Sequence, residues 1–121
     1  MKVHVLILLM FFSGWVGAGT LEKAGSIKHI VLVKLKGSED VGRFMALSKR
    51  LVKLPGVKRY SIGPTLPKED DQSDGFDIGV VVTLENRQAL FDYLRHPQHK
   101  KIIEKMRPLV ESIEVHDFIT R

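Results

Sequence analysis

The chain contains no cysteine. That absence excludes disulfides, a lipid-modified N-terminal cysteine and every thiolate metal site, so stability has to come from core packing and assembly. Aromatic residues make up only 7% of the sequence, and no aromatic stacking platform accompanies the basic residues, so a nucleic-acid partner is not expected. No apolar run reaches the roughly 20 residues that a membrane-spanning helix needs. No long block of one charge sign occurs either: the formal charge of +5 is scattered, and its nearest cluster, Lys100, Lys101, Lys105 and Arg107, reads as the solvated face of a helix.

With 121 residues, 27% charged and 44% hydrophobic, the composition is that of one folded domain rather than two. The first residues differ in kind. "MKVHVLILLMFFSGWVGAG" has one lysine, an apolar run from Val3 to Phe12, then small residues, which is the layout of a secretory signal peptide. Val16 and Ala18 satisfy the small-x-small rule, so residues 1–18 are read as the leader, with cleavage after Ala18 or at a site one to six residues later. The other reading is an uncleaved anchor, but the run is about half a spanning length before Ser13 and Gly14 interrupt it. The mature protein is then periplasmic or secreted, with no membrane attachment. Residues 19–26 form an N-terminal linker, and 27–121 the folded domain.

Within that domain, "IKHIVLVKLKG" from Ile27 to Gly37 reads as a strand, with His29 on an almost wholly apolar face and Ile30 and Leu32 on the other. Both faces therefore expect partial cover. Ser38, Glu39 and Asp40 look like a helix start, with a capping hydroxyl. Val41, Phe44, Met45, Leu47, Ser48, Leu51 and Val52 would form its buried face, and "LPG" at 54–56 its end. "VKRYSIGPTL" (57–66) is a second strand. "PKEDDQSDG" (67–75) is an acidic, turn-rich and mobile loop without the spacing of a calcium site. "FDIGVVVTL" (76–84) is a third strand, with Phe76, Ile78, Val80, Val82 and Leu84 on one face.

Asn86 can cap a following helix whose Ala89, Leu90, Tyr93 and Leu94 share one side. Pro97 forces a break, pushing His96 out of helical geometry and starting a new helix that runs through Met106. "SIEVHDFI" (112–119) supplies a fourth strand, on which Ile113, Val115, Asp117 and Ile119 alternate against Glu114, His116 and Phe118. The order strand, helix, strand, strand, helix, strand predicts an α+β, ferredoxin-like βαββαβ protomer. Its sheet has helices for one face only, and a symmetric homodimer is the common way to cover the other.

"IKHIVLVKLK", "LPGVKRYSIG", "GFDIGVVVTL", "YLRHPQHKK" and the closing "VHDF" together resemble the stress-responsive dimeric α/β-barrel family, called Dabb, over roughly Ile27 to Phe118. The resemblance implies a homodimer whose two sheets form a barrel around a shared interior. It is distantly similar to plant olivetolic acid cyclase, in which a tyrosine and the second histidine of an HPxH motif act as an acid/base pair in ring closure of a polyketide thioester. Tyr93 and His99 occupy those positions, His96 is the first motif histidine and His29 matches a strand-one histidine. Ile78 stands where that enzyme has a further pocket histidine. Given that difference and the export leader, the cyclase reaction itself is not expected.

The residues that remain in view are Tyr93 and His99 as a catalytic pair, and His29, Tyr93, His96 and His99 as ligand-binding groups around a small, largely apolar molecule held inside the α/β barrel. No cofactor is expected. A phenol beside a neutral imidazole is competent for proton transfer. The structural readings stand beside this one: His96 caps the helix that begins at Pro97, His99 bonds a neighbouring carbonyl, and the barrel is only the core of a noncatalytic stress or assembly protein. A metal held by His96 and His99 with Asp92 or His29 is a poor fit, because Pro97 redirects the side chains and no third ligand is established. His116 is a surface residue. The leader is testable directly: intact mass of the protein recovered from an exporting host should correspond to a chain beginning at Gly19 or one to six residues later, and a mass retaining Met1–Ala18 would remove the export reading.

Overall fold

A computed structural model describes residues 19–67 and 75–121. Residues 1–18, expected to be a leader, and most of the acidic loop, residues 68–74, lie outside the described residues. The elements are β1 (Ile27–Leu35), α1 (Val41–Ser48), β2 (Val57–Pro64), β3 (Ile78–Leu84), α2 (Arg87–Arg95), α3 (Pro97–Met106) and β4 (Val110–Ile119). The four strands form one sheet in the order β2-β3-β1-β4, with every neighbouring pair antiparallel. This is the ferredoxin-like α+β arrangement predicted from the order of elements. Among the described residues no helix is long and apolar enough to cross a membrane.

Period-two alternation divides the sheet into two unlike faces. Toward the helices it presents Ile27, Val33 and Leu35 of β1 with Ile78, Val80, Val82 and Leu84 of β3. These are buried against Phe44, Leu51, Leu90, Ile102, Met106 and Leu109. The opposite face carries Ile30, Leu32 and Val81, each half-buried, and Phe118, which is 51% exposed. A rim of polar contacts surrounds them, including Lys28 with Thr83 and Glu22, and His116 with Glu114. His116 is a surface residue, as its alternation predicted.

The first helix departs from expectation at both ends. Ser38 is not a capping residue: Ser38–Asp40 form a single 3₁₀ turn with no side-chain cap, and α1 begins only at Val41. The chain then tightens into a 3₁₀ segment, Lys49–Lys53. Three residues per turn change the phase of the buried face, so Ser48, Leu51 and Leu54 point inward at intervals of three while Val52, expected inside, is 42% exposed. Strand three also starts two residues late. Asp77 N–H donates to the Val33 carbonyl at 2.8 Å, and its carboxylate accepts the Leu35 N–H at 2.7 Å, where the β1–β4 pairing is irregular. The N-terminal linker is tied to the domain at its end, since Gly25 and Ser26 N–H groups both donate to Thr120.

Gly56 turns the chain from the first helical layer into β2 at φ +84°, and a Cβ there would stand 3.0 Å from that of Ala89. Gly56→Ala should therefore destabilise the fold by about 1–2 kcal/mol from backbone conformation alone. A urea midpoint that falls with unchanged slope checks this.

Candidate active site

Tyr93 reaches the interior because α2 is amphipathic. Asn86 accepts the Ala89 N–H at 2.8 Å and fixes the helix start, and the spacing of Leu90 and Tyr93 then puts both under the helix. Tyr93 is 2% exposed. At His96 the backbone turns to φ −59°, ψ 134°, the extended geometry imposed by a following proline. Pro97 opens α3, and His96 Nδ1 accepts the Gln98 N–H at 3.1 Å. The new helix direction brings His99 back over Tyr93, with ring centroids 4.6 Å apart at an interplanar angle of 62°. His29 approaches Tyr93 from β1, edge-on at 6.0 Å.

These three rings line a cavity of ≈ 380 Å³ between the helices and the sheet. Its walls are largely apolar, supplied by Val31, Phe44, Leu51, Val80, Val82 and Ile103 among others, and it runs out past Ile113, Val115 and Asp117 of β4. Its place differs from the expected one. The candidate residues face the helix side of the sheet within one protomer, not the interior that two apposed sheets would share, because the odd positions of β1 carry His29 to the helix side.

His96 is placed elsewhere. It does not line the cavity; its ring is held at the N-terminus of α3 by the Gln98 N–H. Its influence on the site is positional and electrostatic.

Three groups were not singled out from the sequence. Asp117 lies across from His29 in the β1–β4 register, and the His29 Nδ1–H donates to its carboxylate at 2.6 Å. That bond commits Nδ1 and leaves Nε2 as the ring's other polar atom. Ser48 and Tyr60 form a hydroxyl pair on the wall made by α1 and β2. A signal for Asp117 was present: like His29, it is the lone polar residue on an otherwise apolar alternation. Ser48 gave the same signal, as the lone polar residue on the apolar face expected of the first helix, whereas Tyr60 gave none.

Burial shapes the proton chemistry. It pushes the Tyr93 phenol well above its ordinary value, and the neighbouring Tyr60 adds to this, so Tyr93 remains an O–H donor. His99 is held down to about 4, first by burial and then by charge on His29 and His96, with a hydrogen bond donated by the ring to the Leu94 backbone carbonyl opposing. At neutral pH it is an uncharged acceptor. The wide separation of the two values makes a tyrosinate–imidazolium pair negligible at rest, so the arrangement is a donor and an acceptor facing one space. Negative charge developing on a bound molecule would raise the affinity of His99 for a proton. Among the described residues no three potential metal ligands converge.

The model of the stress-responsive A/B barrel domain family, Dabb, matches residues 27–120. The chain belongs to the Dabb family. A stress-response A/B barrel domain-containing protein of Arabidopsis thaliana is 26% identical over 92 residues, covering 75% of this chain and 83% of that one. Among solved structures, a Dabb protein of Mesorhizobium loti superposes with TM-score 0.69 at 24% identity, covering 80% of this chain and 98% of that one. A dimeric ferredoxin-like protein of Thermobifida fusca gives 0.67 at 22%, with 83% and 96% covered. A hydroxynitrile lyase of Passiflora edulis gives 0.72 at 20%, with 82% and 96% covered. At these identities the structural likenesses establish the Dabb fold alone.

The low His99 value has a measurable consequence. Below its ordinary value of 6.5 the unfolded chain binds a proton that the folded chain refuses down to about 4, so the folded state loses stability as pH falls through that window. Discounted for partial exposure of the ring, the loss is about 1 kcal/mol. Urea midpoints at several pH values should show it, and His99→Gln should flatten the curve over the same interval.

Proposed function

We propose that this Dabb protein binds a small, largely apolar molecule carrying an oxygenated group, and that Tyr93 and His99 serve it as a cofactor-independent acid/base pair. One observation carries the proposal: a protonated phenol and a neutral imidazole meet at 4.6 Å between ring centroids inside an apolar cavity of ≈ 380 Å³. In that setting Tyr93 donates to a carbonyl or hydroxyl oxygen, and His99 takes a proton from the same molecule or from one adding to it. His29, oriented by Asp117, presents its other ring nitrogen to the same space. The apolar walls exclude water and strengthen both interactions. A hydroxynitrile lyase with this fold supports the idea that such a frame can carry catalysis.

A homodimer belongs to the same proposal. Among the described residues, the face of the sheet away from the helices leaves Ile30, Leu32, Val81 and Phe118 without a covering layer, and a ferredoxin-like neighbour is dimeric. A second copy placed there leaves the cavity on the other side of the sheet intact. Export to the periplasm or out of the cell is also proposed, and rests on the first 18 residues.

Native mass spectrometry of the protein purified from its own compartment tests binding and assembly together. The expected result is a dimer carrying a reproducible small-molecule mass absent after denaturation. With that compound in hand, Tyr93→Phe and His99→Ala should each lower turnover by at least about 100-fold, as expected for loss of a general acid or base, while the dimer persists. Turnover surviving in both variants would sink the acid/base assignment and leave a noncatalytic binding or assembly protein.

A further inference from the structure

The proton-transfer reading leaves one polar pair in the cavity unused. Ser48, on the last turn of α1, is 2% exposed, and its hydroxyl is hydrogen-bonded to that of Tyr60 on β2. Two hydroxyls carry two O–H hydrogens, and their mutual bond consumes only one. Among the described residues neither oxygen has a further partner. Both side chains line the cavity, so the spare O–H can donate into it. Burial raises the Tyr60 phenol above its ordinary value, with the bond to Ser48 opposing, which keeps the pair in its donor form near neutrality.

Strand register locates this pair relative to the first site. Tyr60 is opposite Val82, Val82 is opposite His29, and His29 is opposite Asp117, so the four lie in one row across the sheet. Two inter-strand steps separate Tyr60 from His29, a backbone distance of about 10 Å. The strand between them offers Val80 and Val82, both buried and both on the cavity wall. The floor therefore has a polar end under β2, an apolar middle, and a polar end at His29, with Tyr93 above it. An Ala and a Phe would close the β2 end without burying hydroxyls, which are expensive to leave unmatched when a ligand arrives lacking an acceptor.

We propose that Ser48 and Tyr60 form a second ligand anchor, which donates a hydrogen bond to an oxygen at the far end of a molecule whose first oxygen lies at Tyr93 and His99. The ligand class is thereby narrowed to compounds of about two-ring size with an apolar middle and an oxygen function at each end. This inference rests on the cavity being a ligand site, as proposed above.

The test compares para-phenylphenol with para,para′-biphenol, which share an apolar frame and differ in the second hydroxyl. Binding of each to the purified protein is measured by calorimetry, with displacement of any co-purified compound. The second anchor should make biphenol three- to tenfold tighter, the range of one neutral hydrogen bond. In the double variant Ser48→Ala, Tyr60→Phe, checked for folding by its thermal transition, that preference should fall to about twofold, the statistical factor of two equivalent hydroxyls, while phenylphenol affinity is retained. Equal affinity of the two probes for the unaltered protein, once that factor is allowed for, would overturn the second anchor and leave the cavity reading standing, without recourse to the variant. A preference above that factor that persists in the folded double variant would also overturn it. Failure of both probes to bind, at concentrations where each remains soluble, would overturn the cavity reading and this inference with it.

Discussion

The missing N–H of Pro97 and the restriction it places on His96 are the constraint on which the candidate site depends. Tyr93 and His99 are six residues apart, a separation that would put them on different sides of a straight helix. Proline at the first position of α3 requires no hydrogen bond that it cannot make, and the extended His96 before it lets the chain change direction. The His96 ring then accepts the Gln98 N–H and fixes where the new helix starts. The turn converts a sequence separation unsuited to contact into a ring pair 4.6 Å apart. His96 thus matters to the site through the backbone, which is why an HPxH motif can be structural at its first histidine and chemical at its second.

The cavity is a balance between apolar burial and a few polar groups that stay hydrogen-bonded. Leaving a buried hydroxyl or imidazole unmatched costs about 1–3 kcal/mol, so each such group needs a partner or a use. His29 has Asp117, and Ser48 has Tyr60. Tyr93 is held in place mainly by packing and His99 by packing with one bond to the Leu94 carbonyl, and their displaced proton affinities reflect the same burial. The consequence is a division of labour: the satisfied pairs keep the walls in register, while the less satisfied pair faces the space where a molecule can enter.

Much of this frame was legible in the sequence because it follows from local rules. Period-two alternation gave the four strands and the side on which His29 lies; Asn86 and Pro97 marked the starts of α2 and α3 as the structure has them. What escaped was whatever depends on the phase of a non-α turn or on strand register. Val52 was misplaced because the chain tightens to three residues per turn after Ser48, and nothing in a pattern of apolar residues distinguishes that from a continuing α-helix. Asp117 was visible as an anomaly on its strand, but its partner was not. His29 and Asp117 are 88 positions apart, and only the pairing of β1 with β4 makes them neighbours.

That pairing also explains why the two faces of the sheet can take on separate tasks. Side chains alternate across a strand, so a one-residue slip of β4 against β1 would carry Asp117 from the helix side to the open side and bring Glu114, His116 and Phe118 the other way. The cavity would lose the carboxylate that orients His29, and the open face would lose Phe118. Register is therefore held from both sides: by Val33, buried opposite Ile113, on the helix face, and by the Ile30, Leu32 and Phe118 patch on the other. In the proposed dimer the second copy would bury that patch and so reinforce the same register, stabilising the cavity through the sheet without contributing a residue to it.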